Sequence, residues 1–308
     1  MIYRALGRTG VQVSEIGMGC NRLGEAGPPD RHWIDLVRHA VELGVNLFDS
    51  SESYNWGRSE EMLGRAVGAR TDVLLATKVS RMREGGKDFS AARIVERAEL
   101  SLRHLRRSRI DVYQLHSPSR ADLERFDWAE GLARLKRQGK VRLGAVALSA
   151  HDDGRWLIEQ GLAGAGKLVE VFQCTYNLFE TQAAEALFPL AHEHGVGLLC
   201  RMPLARGILT GKFHAGQEVA EGHRARLDGE LQARIRQAED LRPLGAAYEG
   251  GMARLALHYS LAPGAISALI PGARTAAQVE ENVRASGGPG LAPALSEELA
   301  RIQAAWRG

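Results

Sequence analysis

Four side chains that can exchange protons follow three successive apolar segments: Asp49, Tyr54, Lys78 and His116. Each alone has an ordinary structural explanation, such as a packed tyrosine or a hydrogen-bonded core histidine. The ordinary pKa of a tyrosine hydroxyl is about 10, but a neighbouring ammonium favours the phenolate. Lys78 could supply that charge, Asp49 could hold the ammonium in place, and His116 could donate a hydrogen bond to a substrate oxygen. Together these residue types indicate a proton-transfer site, if the fold brings them to one place.

Short apolar segments alternate with amphipathic helical patterns along the chain. The helical patterns include one from Asp30, as a possible N-cap, to Gly44, and one beginning at Ser296. The predicted strands are 14–19, 45–48, 72–77, 111–115, 143–148, 168–174, 196–200 and 266–270. Strands that alternate with amphipathic helices predict an α/β fold, with a parallel sheet covered by helices.

An open doubly wound sheet and a closed (β/α)₈ TIM barrel both satisfy this pattern. Each predicted strand ends at a polar or glycine-containing position, and in a barrel all these ends converge on one site. The first residues, MIYRALGRTGVQVS, alternate around a Gly-Arg-Thr-Gly turn and predict a β-hairpin outside the barrel. Residues 205–250 are expected to form a long loop with some helix. We therefore predict a single (β/α)₈ barrel domain over 1–308 with an N-terminal β-hairpin.

Composition argues against several classes of protein. The 40 Lys and Arg residues nearly balance the 37 Asp and Glu residues, which gives no electrostatic reason to expect a nucleic-acid or membrane partner. The three cysteines are far apart in the chain, so a disulfide framework or a zinc knuckle is not expected. With no apolar stretch of membrane-spanning length, we expect a cytoplasmic protein that acts on a small molecule.

Three sequence motifs that could indicate other functions lack the neighbouring residues or elements that those functions require. The segment GLAGAGKL (161–168) resembles a P-loop, but it ends in Leu168 and precedes a strand. No G-x-G-x-x-G segment follows a predicted strand, which argues against a Rossmann dehydrogenase. His192 and His194 flank Glu193 at a polar helix end, where a solvated face is a simpler explanation than a metal site. We therefore predict no metal site.

The segments FDSSESYNWGRSEEMLG, ATKVS and YQLHSP resemble those that carry the catalytic residues of the aldo-keto reductases. QCTYN, PLARGILTGK and IPGARTAAQVEEN resemble the later cofactor-binding segments of that family, and YRALGRTGVQVSEIGMG resembles its hairpin and first strand. The resemblance extends in chain order from about residue 2 to 284. It implies an NADPH-dependent reductase of aldehydes or ketones, with Asp49, Tyr54, Lys78 and His116 as the catalytic tetrad and Tyr54 as general acid and base.

The same resemblance assigns cofactor and substrate contacts. It places Ser149 and Gln173 at the nicotinamide carboxamide. The pyrophosphate would lie along Pro203, Leu204 and Lys212, and the 2′-phosphate end would meet Gly272, Arg274, Gln278, Glu281 and Asn282. The other implied cofactor contacts are Gly19, Cys20, Asp49, Arg201, Met202, Ala205 and Gly207. The implied substrate contacts are Asn21, Tyr54, Trp56 and His116.

Several positions depart from the family pattern. Arg201 stands where many members place an aromatic residue against the nicotinamide, so stacking would fall to a guanidinium plane. Ser117 and Ala150 are smaller than residues common at those positions, which implies a wider pocket. Gly272-Ala273-Arg274 replaces a Lys-Ser pair, which moves phosphate recognition onto Arg274. The chain after Asn282 offers little material for a long tail over the pocket.

Two other functions fit the same sequence. One is a cofactor-sensing regulatory subunit like the potassium-channel β subunits, which share the fold and the tetrad. The other is a phosphate-binding barrel lyase or isomerase that uses Arg274 and no nicotinamide. The substrate depends on the loops 21–30, 55–57, 117–128 and 213–230, and the sequence assigns neither the substrate nor the oligomeric state.

Overall fold

Eight parallel strands form a barrel in the computed structural model, which describes residues 1–80, 82, 84–221, 223–227, 229–288 and 290–306. After the antiparallel hairpin of β1 (Tyr3–Ala5) and β2 (Gln12–Ser14), the barrel strands are β3 (Met18–Gly19), β4 (Leu47–Asp49), β5 (Leu74–Val79), β6 (Ile110–His116), β7 (Val141–Ala147), β8 (Val171–Thr175), β9 (Gly197–Arg201) and β10 (Ala268–Leu269). Each barrel strand pairs with the next, and bridges between Ile16 and Leu269 and between Gly19 and Gly272 join the first strand to the last. The predicted barrel and hairpin are confirmed.

Helices cover the outside of the barrel. They are α1 (Asp30–Glu42), α2 (Arg58–Val67), α3 (Ala91–Leu105), α4 (Arg120–Arg125), α5 (Trp128–Arg137), α6 (His151–Glu159), α7 (Ala183–Ala186), α8 (Phe188–His194), α9 (Leu231–Ala247), α10 (Gly251–Leu261), α11 (Ala276–Val283) and α12 (Pro293–Ala305), with 3₁₀ segments at Tyr54–Gly57, Ala205–Thr210 and Arg224–Leu227. None of the helices in the described part of the chain has the length and apolar character that a membrane-spanning segment requires.

Two helix starts and one long segment differ from the prediction. Asp30 is the first residue of α1 and not its N-cap, and its carboxylate pairs with Arg58 and Arg65. The last helix begins at Pro293, three residues before Ser296, because proline is favourable in a first helical turn. The segment 205–250 contains the 17-residue helix α9. Of the loop 213–230, Gly222 and Asp228 lie outside the described residues.

Apolar side chains fill the barrel interior, and their alternation positions the polar ones. The interior cluster includes Leu47, Ala76, Val112, Val171 and Leu199. Side chains two residues apart on a strand point to the same face. The inward-facing positions at the carboxyl ends of these strands are therefore Asp49, Lys78, Gln114, Gln173 and Arg201.

The N-terminal hairpin closes the opposite end of the barrel. Leu6, Val11 and Val13 belong to the same interior apolar cluster. The backbone N–H of Arg8 donates to the Gly195 carbonyl at 2.9 Å. Leu6 packs so closely on β9 that a Cβ on Gly197 would lie 2.7 Å from it. The barrel therefore opens to solvent at the end that carries the polar side chains.

Candidate active site

A buried ion pair lies at the centre of the open end. Lys78 Nζ donates to Asp49 Oδ2 at 2.5 Å and to the Ser50 carbonyl at 2.7 Å. The other carboxylate oxygen, Asp49 Oδ1, accepts from the side-chain amides of Gln114 at 2.8 Å and Gln173 at 2.9 Å. Both charged side chains are almost fully buried. Each carboxylate oxygen therefore has hydrogen-bond donors, as a buried charge requires.

The lysine ammonium lies beside Tyr54. Lys78 Nζ is 5.1 Å from the centroid of the Tyr54 ring. Burial acts to lower the pKa of Lys78, but the charge of Asp49 and the interaction with Tyr54 together hold that pKa above its ordinary value. Lys78 is therefore a permanent positive charge next to the tyrosine.

A turn in an unusual conformation presents Tyr54. The three residues that follow it all have left-handed backbone: Asn55 (φ 48°), Trp56 (φ 53°) and Gly57 (φ 92°). For residues with a Cβ this conformation costs roughly 1–2 kcal/mol each. The Asn55 side chain offsets part of this cost by donating to the Leu23 carbonyl at 2.8 Å. A side chain at Gly57 would lie 2.8 Å from His104, so glycine is required there.

The His116 ring is held by two serine hydroxyls. Its Nδ1 lies 2.8 Å from Ser80 Oγ and 3.1 Å from Ser51 Oγ. The ring meets Tyr54 edge to face, with centroids 5.9 Å apart and an interplanar angle of 85°. The serines therefore fix the orientation of the imidazole relative to the tyrosine, and the structure brings together all four members of the predicted tetrad.

Glu52 links the loops that carry these serines. Its carboxylate accepts from the Ser80 N–H at 2.8 Å. The same buried carboxylate pairs with Arg97 of α3 and lies 3.9 Å from Arg93. Helix α3 thus supports the loops that follow β4 and β5.

On the opposite side of the barrel mouth, Arg201 bridges the ends of two strands. Its guanidinium donates to the Leu148 carbonyl at 2.8 Å and to Thr175 Oγ1 at 3.1 Å. The neighbouring Ser149 is exposed. These two acceptors therefore fix the plane of the Arg201 guanidinium.

Segments from β3 and β10 complete the mouth. Gly19 and Gly272 pair directly, and a Cβ on Gly272 would lie 3.1 Å from Asn21 Oδ1. The Cys20 N–H donates to the Asp49 carbonyl at 2.8 Å. Burial strongly raises the pKa of the Cys20 thiol, so this cysteine is a packing residue and not a nucleophile.

Three positively charged side chains gather with a histidine beside this mouth. We call Arg22, Lys212, His223 and Arg274 the cationic cluster. Burial and the charges of the other three lower the pKa of His223. Lys212 Nζ lies 3.1 Å from His223 Nε2, and Arg274 lies 3.4 Å from Glu25, which also pairs with Arg22.

The segment after β9 forms a concave backbone next to this cluster. Met202, Ala205, Arg206 and Gly207 all have positive φ, and Asn177 donates to the Met202 carbonyl at 3.1 Å. Gly207 has a φ of 93°, a conformation that favours glycine, and an added Cβ would lie 3.4 Å from Lys212 Nζ, so this backbone is next to the lysine ammonium. Pro203 is buried and Leu204 is half-buried in the same segment.

The residues predicted for the far end of the cofactor have separate partners. Gln278 Oε1 accepts from the Arg274 N–H at 2.8 Å, at the first turn of α11. Glu281 pairs with Arg284 at 3.2 Å and with Arg254 at 3.5 Å. Asn282 is 8% exposed. Arg274 and Gln278 therefore lie together, whereas Glu281 pairs with Arg254 of α10 and with Arg284, the residue that follows α11.

The sequence interpretation missed Gln114, Ser51, Ser80, Arg22, Glu25 and His223. The strand pattern could have identified Gln114, because it lies two residues before His116 on the same face of β6. The two serines, Arg22, Glu25 and His223 follow no comparable local pattern.

Comparisons with known proteins show the family to which the chain belongs. The sequence model of the Aldo/keto reductase family matches residues 15–306. The chain is 32% identical to L-galactose dehydrogenase of Arabidopsis thaliana over 92% of this chain and 87% of that protein. It is 29% identical to a probable voltage-gated potassium channel subunit beta of Oryza sativa subsp. japonica over 92% of this chain and 91% of that protein. The holo form of an aldo-keto reductase from Bacillus halodurans has a TM-score of 0.82 and 29% identity, covering 98% of this chain and 96% of that chain.

Proposed function

Because the chain belongs to the Aldo/keto reductase family, we propose that it transfers hydride between NADPH and an aldehyde or ketone, with Tyr54 as the general acid and base. The observation that carries this proposal is the buried Lys78 ammonium, which lies 5.1 Å from the Tyr54 ring. A fixed positive charge beside a phenol stabilises the phenolate that remains when the phenol gives up its proton.

The side chains around the mouth fit a nicotinamide dinucleotide. Lys212, Arg22 and Arg274 carry positive charge where a pyrophosphate and a further phosphate would need it, and the backbone at Gly207 lies directly beside Lys212. Ser149 and Gln173 would hold the carboxamide. When bound, the cofactor supplies the hydride, which no protein side chain can provide.

The tetrad supplies the proton. A carbonyl oxygen placed between Tyr54 and His116 would accept a hydrogen bond from each side chain. As negative charge develops on that oxygen, the Tyr54 hydroxyl donates its proton, and Lys78 stabilises the phenolate. Asp49 keeps the ammonium in position through the 2.5 Å hydrogen bond that it accepts from Lys78 Nζ. In the reverse direction the Tyr54 phenolate accepts the proton from an alcohol.

The residues predicted to contact substrate lie at the mouth of the barrel. Trp56 is 46% exposed and follows Tyr54 in the left-handed turn. An exposed aromatic side chain beside a polar site offers an apolar surface to the part of a substrate that does not react. We expect the substrate carbonyl to point inward and its remaining groups to lie toward Trp56.

The experiment that tests this function is NADPH oxidation by the purified full-length chain. Loss of the reduced cofactor is followed with a panel of aldehydes, ketones, quinones and sugars, and with cofactor alone as the control. Oxidation that depends on at least one carbonyl compound supports the proposal. If the protein neither binds nor oxidises NADPH, a phosphate-binding lyase or isomerase becomes the better explanation.

A cofactor-sensing regulatory subunit is the second candidate. The similarity to the rice channel subunit over 92% of this chain favours it. It predicts that NADPH binds, with a change in its fluorescence, but that no carbonyl compound in the panel is reduced at a rate above the control. Turnover therefore separates the two candidates.

A further inference from the structure

Four arginines line a cleft in the outer helical layer. Arg31 and Arg38 come from α1, Arg65 comes from the last turn of α2, and Arg106 is the residue that follows α3. Ile34 and Asp35 complete the lining, and the cleft encloses about 430 Å³. It shares no residue with the tetrad or with the cationic cluster.

Positive charge exceeds negative charge in this cleft. Asp35 is the one carboxylate in its lining, and it lies 3.3 Å from Arg31 and 3.8 Å from Arg38. Arg65 pairs with Asp30, a residue just outside the lining that also pairs with Arg58. Within the described part of the chain, the exposed Arg106 makes no ion pair. Since the whole molecule has a formal charge of only +3, this is a strong local concentration.

Stabilisation of helix ends explains only part of this arrangement. Cations near a helix C-terminus interact favourably with the helix dipole, which accounts for Arg65 and Arg106. Arg31 lies in the first turn of α1, where the dipole disfavours a cation. Arg106 also has left-handed backbone (φ 54°), where glycine or asparagine is the more stable choice. The helix dipole therefore does not account for Arg31, and the backbone conformation at 106 favours a residue other than arginine.

We propose that this cleft binds a small molecule that carries two or more phosphate groups. Guanidinium groups bind phosphate oxygens through paired hydrogen bonds, and arginine is the usual side chain for this task. A volume of about 430 Å³ is within the range of small-ligand sites. The positive charges surround a concavity on three helices, and they do not form the extended stripe that a nucleic acid or an acidic protein segment would need. The site is independent of the reductase function proposed above.

Calorimetric titration of the full chain with inorganic tripolyphosphate tests this site. The Arg38→Gln/Arg106→Asn double variant removes two of the four charges, and asparagine tolerates the left-handed backbone at 106. We expect its affinity to fall about tenfold, because each exposed charge-assisted contact contributes roughly threefold. The control pair Arg134→Gln/Arg236→Gln removes two exposed arginines elsewhere and should bind as the wild type does. Equal affinity of the double variant and the wild type, or an equal loss in the control pair, would overturn the proposal.

Four further titrations identify the source of the phosphates and the place of binding. ATP represents nucleotides and fructose 1,6-bisphosphate represents sugar phosphates. The compound that binds more tightly identifies the class of ligand. Octaglutamate represents an acidic protein segment, and tighter binding of this peptide than of any phosphate would contradict a small-molecule site. The tripolyphosphate titration is repeated with saturating NADPH, which occupies the cationic cluster under the proposed function, and the affinity should not change. Loss of tripolyphosphate binding when NADPH is present would instead place the binding at the cationic cluster and overturn the proposal.

Discussion

Lys78 is a buried cation whose position depends on one carboxylate and one carbonyl. Asp49 Oδ2 and the Ser50 carbonyl both accept from its ammonium, whereas Asp49 Oδ1 is occupied by two amides. Removal of one partner of a buried pair leaves the other charge without compensation, which is strongly destabilising. The two members of this pair are not equivalent, however, because Lys78 keeps the Ser50 carbonyl when Asp49 is changed.

We therefore expect Lys78→Met to lower turnover more than Asp49→Asn does. Lys78→Met removes the charge beside Tyr54, whereas Asp49→Asn only weakens its support. Steady-state rates over a range of pH measure both effects, and circular dichroism checks that each variant is folded. A Lys78→Met enzyme with the wild-type rate and pH profile would contradict the role assigned to the ammonium.

Arg274 is the residue on which cofactor choice is expected to depend. It is half exposed and lies 3.4 Å from Glu25, so a bound phosphate must share it with that carboxylate. We predict a preference for NADPH over NADH. Arg274→Ala should weaken NADPH binding about tenfold and leave NADH binding nearly unchanged, since only NADPH carries the 2′-phosphate. Fluorescence titration of both cofactors measures this, and equal losses for the two would remove Arg274 from the phosphate site.

Helix α2 begins directly after the left-handed turn that presents Tyr54, so the packing of this helix determines where the tyrosine lies. Its Gly64 packs against the end of α3, where an added Cβ would lie 2.1 Å from the His104 carbonyl oxygen. Alanine is normally the better helix former by about 1 kcal/mol. Here the close contact reverses that preference.

Gly64→Ala should accordingly lower the free energy of unfolding, by about 1–3 kcal/mol, as overpacked core substitutions do. Urea denaturation measures the change. Gly229→Ala is the matched control, because a Cβ there meets no atom within 4 Å. A Gly64→Ala protein that is as stable as the control variant would show that α2 and α3 can separate without loss.

The elements that sequence reasoning recovered are those with a local signal. Asp49, Lys78 and His116 each end an apolar strand, so their convergence followed from the barrel itself. In the turn after Tyr54, Asn55 and Gly57 both favour left-handed backbone, but Trp56 between them does not, so the local signal is incomplete. Helix α9 lies in the segment 205–250, which is rich in Arg, Glu and Gly and for which the sequence predicts a long loop with some helix; Pro243 inside this helix is also unfavourable for helix formation. The cationic cluster joins residues from three distant segments, which no local pattern can reveal.

At the scale of the whole molecule, a cavity of about 700 Å³ lies at the hairpin end of the barrel, between the hairpin and helices α8 and α10. His258 is buried at its wall, with Nδ1 2.6 Å from the Tyr248 hydroxyl and Nε2 3.0 Å from the Ala285 carbonyl. Burial lowers the pKa of His258. The unfolded chain therefore binds a proton at a pH at which the folded protein does not.

This difference predicts how stability depends on pH. The contribution of His258 is fully present above the ordinary histidine pKa of about 6.5 and is lost as the pH falls below that value toward the lower folded pKa. His258→Gln should thus lose less unfolding free energy than the wild type between about pH 7.5 and 5.5. Urea denaturation at both pH values measures the slopes, with the exposed His192→Gln as the control. Identical slopes for the wild type and His258→Gln would contradict the assignment.

The central claim is that Tyr54 gives its proton to a carbonyl oxygen, and Tyr54→Phe tests it most directly. Phenylalanine keeps the ring that packs against His116 and Lys78 but removes the hydroxyl. With the best carbonyl substrate of the panel, turnover should fall by about 10²- to 10⁴-fold, the usual contribution of a general acid, while NADPH binding is retained. A Tyr54→Phe protein that binds NADPH and reduces the substrate at a near-normal rate would contradict the claim, and would assign the proton to another group.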